Sequence, residues 1–213
     1  MPPWSWPWSV PAADPERWVV LDVETTGLNP GRDALLAIAG VALRCRDGRL
    51  ELQAADSFEA VVRHEAGTID RQNILVHGIG VGQQRRGAAP EVVLRAFEAW
   101  CGRSARIGYH VPFDQAVIER ACKRAGLPRP RARWIDLAPL AGVVQRDRPG
   151  RALDDWLTHF GIPCAQRHQA AADVLATAEL LLRLWPELRR QRVDSIGALE
   201  RLERQAHWVT RGS

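Results

Sequence analysis

The chain has 213 residues, room for one large domain or two small ones, and 46% of them are apolar, enough for a sizeable core. Its net charge of +4 comes almost wholly from arginine, Lys123 being the single lysine, and that excess admits a nucleic-acid partner without requiring one. Four scattered cysteines (Cys45, Cys101, Cys122, Cys164) contain no Cys-x-x-Cys pair, which argues against a disulfide frame or a zinc knuckle, and no apolar stretch is long enough to span a bilayer.

Residues 1–16 set Trp4, Trp6 and Trp8 among prolines, which predicts an extended arm. No basic segment leading into an apolar core opens the chain, so a cytoplasmic protein without a secretory leader is expected. A first strand is predicted over 17–24, a buried second over 34–43, and a third near 49–59 after the hairpin signal Asp47-Gly48. Val93, Phe97 and Trp100 recur at helical spacing within 90–102. A short strand near 105–108 leads into a helix at about 112–125 that ends at Gly126 and Pro128. Further helices are expected over 152–160 and 169–187. Residues 194–206 form an amphipathic one with Ile196, Leu199 and Leu202 on one side and Asp194 or Ser195 as its cap. Strands first, then strand and helix in alternation, predict a mixed α/β sheet with helices on its faces. The expected division is an arm over 1–16, one domain over 17–187 and a helical extension over 188–213.

The first strand drives an apolar run into Asp22 and Glu24. Residues two apart on a strand share a face. Two carboxylates side by side at the end of something buried repel each other unless a cation compensates. The pair reads either as a strand end reaching solvent or as half of a metal site. Asp114 follows Pro112 in the first turn of its helix, where an acid also offsets the helix dipole. His168 and Asp173 are five apart, a spacing that cannot aim both at one point from within a helix. If they cooperate, His168 lies in the loop before the helix and Asp173 inside it. The alanines at 170–172 suit a helix that must approach another element closely.

Asp22-x-Glu24-Thr25-Thr26-Gly27, then His77-Gly78-Ile79, then Phe113-Asp114 after Gly108, then His168-x-Ala170-x-x-Asp173 occur in that order. Together they resemble the DEDD superfamily of 3′–5′ exonucleases in its histidine-bearing branch. The likeness is greatest to the epsilon proofreading subunit of bacterial DNA polymerase III and its stand-alone relatives, over roughly 17–187. The resemblance implies a ribonuclease H-like fold, with three antiparallel strands followed by parallel ones. It implies that Asp22, Glu24, Asp114 and Asp173 bind two divalent ions, Mg²⁺ or Mn²⁺, and that His168 is the general base. Hard cations do prefer oxygen ligands, and two ions can clamp a phosphodiester from both sides. Thr25, Thr26 and Leu28 would meet the terminal nucleotide, His77 would approach it, and Phe113 would stack on it. Gln72 and Tyr109-His110 depart from the family's usual acid and His-Asn pair, which touches substrate positioning and not the metal chemistry. The implied partner is single-stranded nucleic acid, with DNA favoured, and a polymerase subunit is a further candidate. The rival readings are a 3′–5′ exoribonuclease, a catalytically silent module that binds nucleic acid or a polymerase, and a structural partner using the Trp-rich arm. Two arginine-rich stretches, Lys123 to Arg133 and Arg146 to Arg151, read either as phosphate tracks or as solvated loops.

Overall fold

The structure, a computed structural model, describes residues 14–64, 74, 78–145 and 152–211, with side chains through 206. Trp4, Trp6, Trp8, Gln72, His77, Arg146, Arg148 and Arg151 lie outside the described residues.

Strands β1 (Arg17–Thr25), β2 (Leu35–Arg46) and β3 (Arg49–Val61) form an antiparallel meander. Asp47 and Gly48 join β2 to β3 with φ of 49° and 74°, the positive values a tight two-residue hairpin requires. Strands β4 (Ala105–Gly108) and β5 (Trp134–Asp136) run parallel to β1, so the sheet order is β3-β2-β1-β4-β5. The helices are α1 (Val81–Arg86), α2 (Pro90–Cys101), α3 (Pro112–Arg124), α4 (Leu137–Val144), α5 (Leu153–Phe160), α6 (Ala170–Arg190) and α7 (Ile196–Arg211).

The middle strand is buried on both faces. Trp18 and Val20 enter a cluster with residues of α4 to α7, while Val19, Leu21 and Val23 enter a second one with residues of α2 and α3. Each such side chain contributes about 1.5–3 kcal/mol on burial, so a one-residue slip, which would exchange the faces, is strongly disfavoured. The same parity puts Asp22 and Glu24 on the face that α6 covers. Helix α6 packs against β1 and β2, and its buried Ala170, Ala176 and Ala178 let its backbone lie close to them.

The predicted strands and helices occur within a few residues of their expected limits, and α6 starts just after His168. Three elements had not been anticipated. β5 is three residues long, too short to show a period, and α1 is a six-residue polar turn of helix. α4 reads Leu-Ala-Pro-Leu-Ala-Gly-Val-Val, with no polar face to mark it as a helix. Helix α7 packs on α4 and β5, and its Ile196, Ala198 and Leu199 join the first cluster. Among the described residues no helix is long and apolar enough to cross a membrane.

Candidate active site

Strands β1, β4 and β5 point the same way, so the segments that follow them gather at one end of the sheet. Asp22 and Glu24 stand at that end of β1. Asp173 arrives on the first turn of α6, over the same face. One carboxylate oxygen from each of the three lies within 4.8 Å of the others. Asp114 comes from the opposite face, on the first turn of α3. Its Oδ1 accepts a hydrogen bond from the backbone N–H of Val23 at 3.1 Å, between Asp22 and Glu24 in sequence. Asp114 and Asp173 are only 4% and 6% exposed, so this bond and the contacts of Asp173 matter to the fold as well as to the site.

Burial pushes the Asp22 carboxyl up to about 8, and the charge of Asp173 adds to the effect. Glu24 is likewise raised to about 8 by burial, then by Asp22 and Asp173. Asp114 is held well above the usual carboxylate range by burial and by Asp22, against the lowering effect of its bond to Val23. Among the described residues, one cation opposes this at Asp22 and Glu24, the guanidinium of Arg167. Fully ionised, the four acids against this one arginine would leave a deficit of three positive charges. The donor set is all carboxylate oxygen. That set suits hard divalent cations, and two of them would more than cover the deficit.

His168 is exposed, immediately before α6, with φ of 61°. Its backbone N–H donates to Asp173 Oδ2 at 3.0 Å, so the residue is tied to the acid cluster without its imidazole being spent. Arg167 donates Nη1 to Asp173 Oδ1 and Nε to Asp154 on the first turn of α5. Sequence reasoning missed Arg167, although a cation next to His168 in a four-acid motif was a visible signal. It also missed Asp136. That residue ends β5, caps α4 by accepting from the Ala138 N–H at 3.0 Å, and accepts from the His110 N–H at 2.9 Å. The backbone N–H of Asp136 donates in turn to Glu203 of α7 at 2.9 Å. His110, at φ of 59°, opens the turn into α3, so Asp136 supports the helix that bears Asp114. A short apolar strand ending in an acid, as β1 does, was the available sign.

The turn after β1 is held by its own side chains. Thr25 Oγ1 donates to the Gly27 carbonyl at 2.6 Å, and Thr26 Oγ1 accepts from the Ala34 N–H at 2.9 Å. A Cβ at Gly27 would stand 2.5 Å from Asp33 Oδ2, which itself accepts from the Asn29 N–H, so a side chain there would have to push Asp33 out of that bond. Leu28 projects from this turn with 93% of its surface exposed. Phe113, by contrast, is partly buried and packs on the second core cluster. In the first basic stretch, Arg129 pairs with Glu119 at 3.0 Å and Arg133 with Glu200 at 3.8 Å.

The exonuclease family RNase_T matches residues 19–181. A DNA polymerase III subunit epsilon-like protein of Rhodobacter capsulatus is 33% identical over 192 residues, 87% of this chain and 26% of that protein. A PolC-type DNA polymerase III of Listeria innocua is 29% identical over 174 residues, 81% of this chain and 12% of that protein. The chain thus spans about a quarter or less of these relatives' length. Among solved structures, Escherichia coli exonuclease I in complex with a dT13 oligonucleotide superposes with a TM-score of 0.70 at 17% identity, covering 83% of this chain and 42% of that one. Cell-death related nuclease 4 superposes with a TM-score of 0.68 at 19% identity, covering 79% of this chain and 63% of that one. At these identities the likeness establishes a common fold.

Proposed function

Since the chain belongs to the RNase_T exonuclease family, we propose that it is a metal-dependent 3′–5′ exonuclease of the histidine branch, releasing nucleoside 5′-monophosphates from single-stranded DNA ends in proofreading or repair. The observation behind this reading is the meeting of Asp22, Glu24 and Asp173 within 4.8 Å at the end of a buried strand, with raised carboxyls and one arginine against them. The epsilon-like relative favours DNA over RNA as the substrate.

Asp22, Glu24, Asp114 and Asp173 would hold two ions, Mg²⁺ or Mn²⁺. The ions, when bound, supply charge that polarises the scissile phosphate and eases loss of the 3′-oxygen. His168 accepts the proton of the attacking water. It is exposed, and among the described residues its bond to the cluster runs through the backbone N–H, which leaves the ring to take that proton. Water oxygen bonds to phosphorus as the bond to the 3′-oxygen breaks, which leaves the phosphate on the 5′ side of the departing nucleotide. The turn after β1 receives the terminal nucleotide. Thr25 and Thr26 spend their hydroxyls on the turn itself and the Thr26 N–H donates to the Ala34 carbonyl at 3.0 Å, which fixes the turn so that the amides of Gly27 and Leu28 meet a 3′-hydroxyl and exposed Leu28 wedges against the last base. The packing of Phe113 accounts for that residue without a stacked base.

The test compares 5′-labelled DNA and RNA oligonucleotides ending in a 3′-hydroxyl or a 3′-phosphate, digested with Mn²⁺ or in EDTA. Stepwise shortening of the 3′-hydroxyl DNA, blocked by 3′-phosphate and by EDTA, is expected. Equal cleavage of both ends, or cutting of closed circles, would identify an endonuclease. Faster loss of RNA would move the substrate class to RNA.

A further inference from the structure

Both oxygens of Asp173 are engaged within the protein. Oδ2 accepts from the His168 backbone N–H at 3.0 Å, and Oδ1 accepts from Arg167 Nη1, with the Cys164 thiol at 3.7 Å. The Oδ1 contact is the one an incoming cation would have to replace. Arg167 lies in the loop between α5 and α6, and its side chain is 27% exposed, so water reaches it and it has room to move. Its second partner, Asp154, is 59% exposed and offers a place for the guanidinium once Asp173 is given up. An arginine stays charged at any pH at which the protein is folded, so it competes with a metal ion where protons no longer do.

We propose that Arg167 is a built-in counter-ion of the acid cluster, a positioning residue that holds Asp173 when no divalent ion is bound, releases it when one enters, and thereby sets how tightly the site binds metal. This rests on the metal-site reading above. Without Arg167 the ion-free carboxylates would face one another with no cation from the described residues to offset them, and His168 and Asp173 would lose the clamp that ties their loop to α5. With Arg167 in place the cluster is kept assembled, and the ion must displace a charge-assisted contact to complete its ligand set. A metal site built this way binds more weakly than its four acids alone would allow, and its ions exchange more readily.

Mn²⁺ titration by calorimetry on the full chain distinguishes this from a merely structural role, because the two predict opposite signs. Arg167→Gln keeps a hydrogen-bonding terminus on a shorter side chain and loses the charge. It is expected to bind Mn²⁺ about tenfold more tightly or better, the equivalent of one charge-assisted contact. The gap in melting temperature between EDTA and Mn²⁺ should widen with it, since tighter binding to the folded state stabilises by mass action. Arg167→Met repeats the test with no polar group, and Arg167→Lys, which restores the charge, should bind less tightly than either. Circular dichroism checks that each variant is folded. Unchanged or weaker Mn²⁺ binding in Arg167→Gln and Arg167→Met overturns the inference while leaving the metal site standing. A wild-type chain that binds no Mn²⁺ overturns both.

Discussion

β1 begins at Arg17 and runs into Asp22 and Glu24, so one strand has charge at both ends, and the two ends are treated differently. At the start, Arg17 donates Nε and Nη2 to Asp56 at 2.7 and 2.9 Å and Nη1 to Ser104 at 3.0 Å, and its guanidinium lies 5.0 Å from the centre of the Trp100 ring. Trp100 Nε1 completes the group by donating to Asp56 at 2.8 Å. The hydrogen bond from Arg17 holds the Asp56 carboxyl below its usual range. One strand over, Arg106 meets Glu98 in the same manner, through two nitrogens at 2.9 and 2.6 Å. At the other end of β1, like charges are gathered and their carboxyls are pushed up. Buried charge alone therefore does not mark a site. A buried charge whose partner is of the same sign does, because nothing in the fold explains it until a ligand is added.

Exchanging the roles of the two ends is the sharpest way to break this contrast. Asp22→Asn should abolish hydrolysis, a loss of about 10³-fold or more if metal charge supplies several kcal/mol to the transition state. Above about pH 8, where Asp22 is ionised, the same variant should melt higher than wild type in EDTA, because it removes one of the repelling charges. A variant that melts lower in EDTA and still hydrolyses DNA would erase the distinction. His168→Ala should lose about 10²–10⁴ in rate while still binding Mn²⁺ in calorimetry. Loss of metal binding as complete as in Asp22→Asn would make His168 a ligand instead.

At the paired end the expected effects are on stability. Arg106 has a side chain only 1% exposed, so Glu98→Ala leaves a buried cation without its carboxylate. Removing one partner of such a pair costs about 3–5 kcal/mol, read as a lower denaturation midpoint, with Mn²⁺ affinity unchanged. The remaining contrast is the response to pH. Asp22 and Glu24 bind protons more tightly folded than unfolded, with ordinary values of 3.8 and 4.5 raised to about 8. Their contribution to stability is thus fully present below the ordinary values and lost as pH rises through about 8. In EDTA the melting temperature should fall across that window, and Mn²⁺ should remove the fall. Asp56 is shifted the other way, so its contribution is lost only on acidification. Melts in EDTA that stay level from the ordinary carboxylate range upward would show that the acids are not poised as described.

The placement of the acids at this end was legible because it is written in short, local patterns. The two-residue period of a strand already put Asp22 and Glu24 on one face. His168 could be placed outside its helix from the five-residue spacing to Asp173. For Arg167 and Asp136 the local pattern marked a position but not the partners. Arg167 acts through Asp154 and Asp173, and Asp136 through His110 and Glu203, groups brought together only by the path of loops and of α7. The paired charges were silent for a related reason. Arg17 and Asp56 are 39 residues apart, and no local pattern records that one end of a meander will meet the other.

Because β1 is third of five strands, its amides and carbonyls are engaged by a neighbour on each side where β2 and β4 both pair with it. Hydrogen exchange makes the consequence measurable. Amides in the middle of the sheet open only with the whole domain, whereas those of the turn carrying Leu28 open locally. The doubly paired stretch Trp18–Val20, just before the acids, is then expected to exchange slowest and the rim of the site among the fastest. The Val23 amide, whose acceptor is Asp114 Oδ1, becomes a reporter bonded directly to one of the four acids. Its exchange rate, followed residue by residue through a Mn²⁺ titration, should change when Asp114 is drawn toward an ion, even in a chain that turns over no substrate at all.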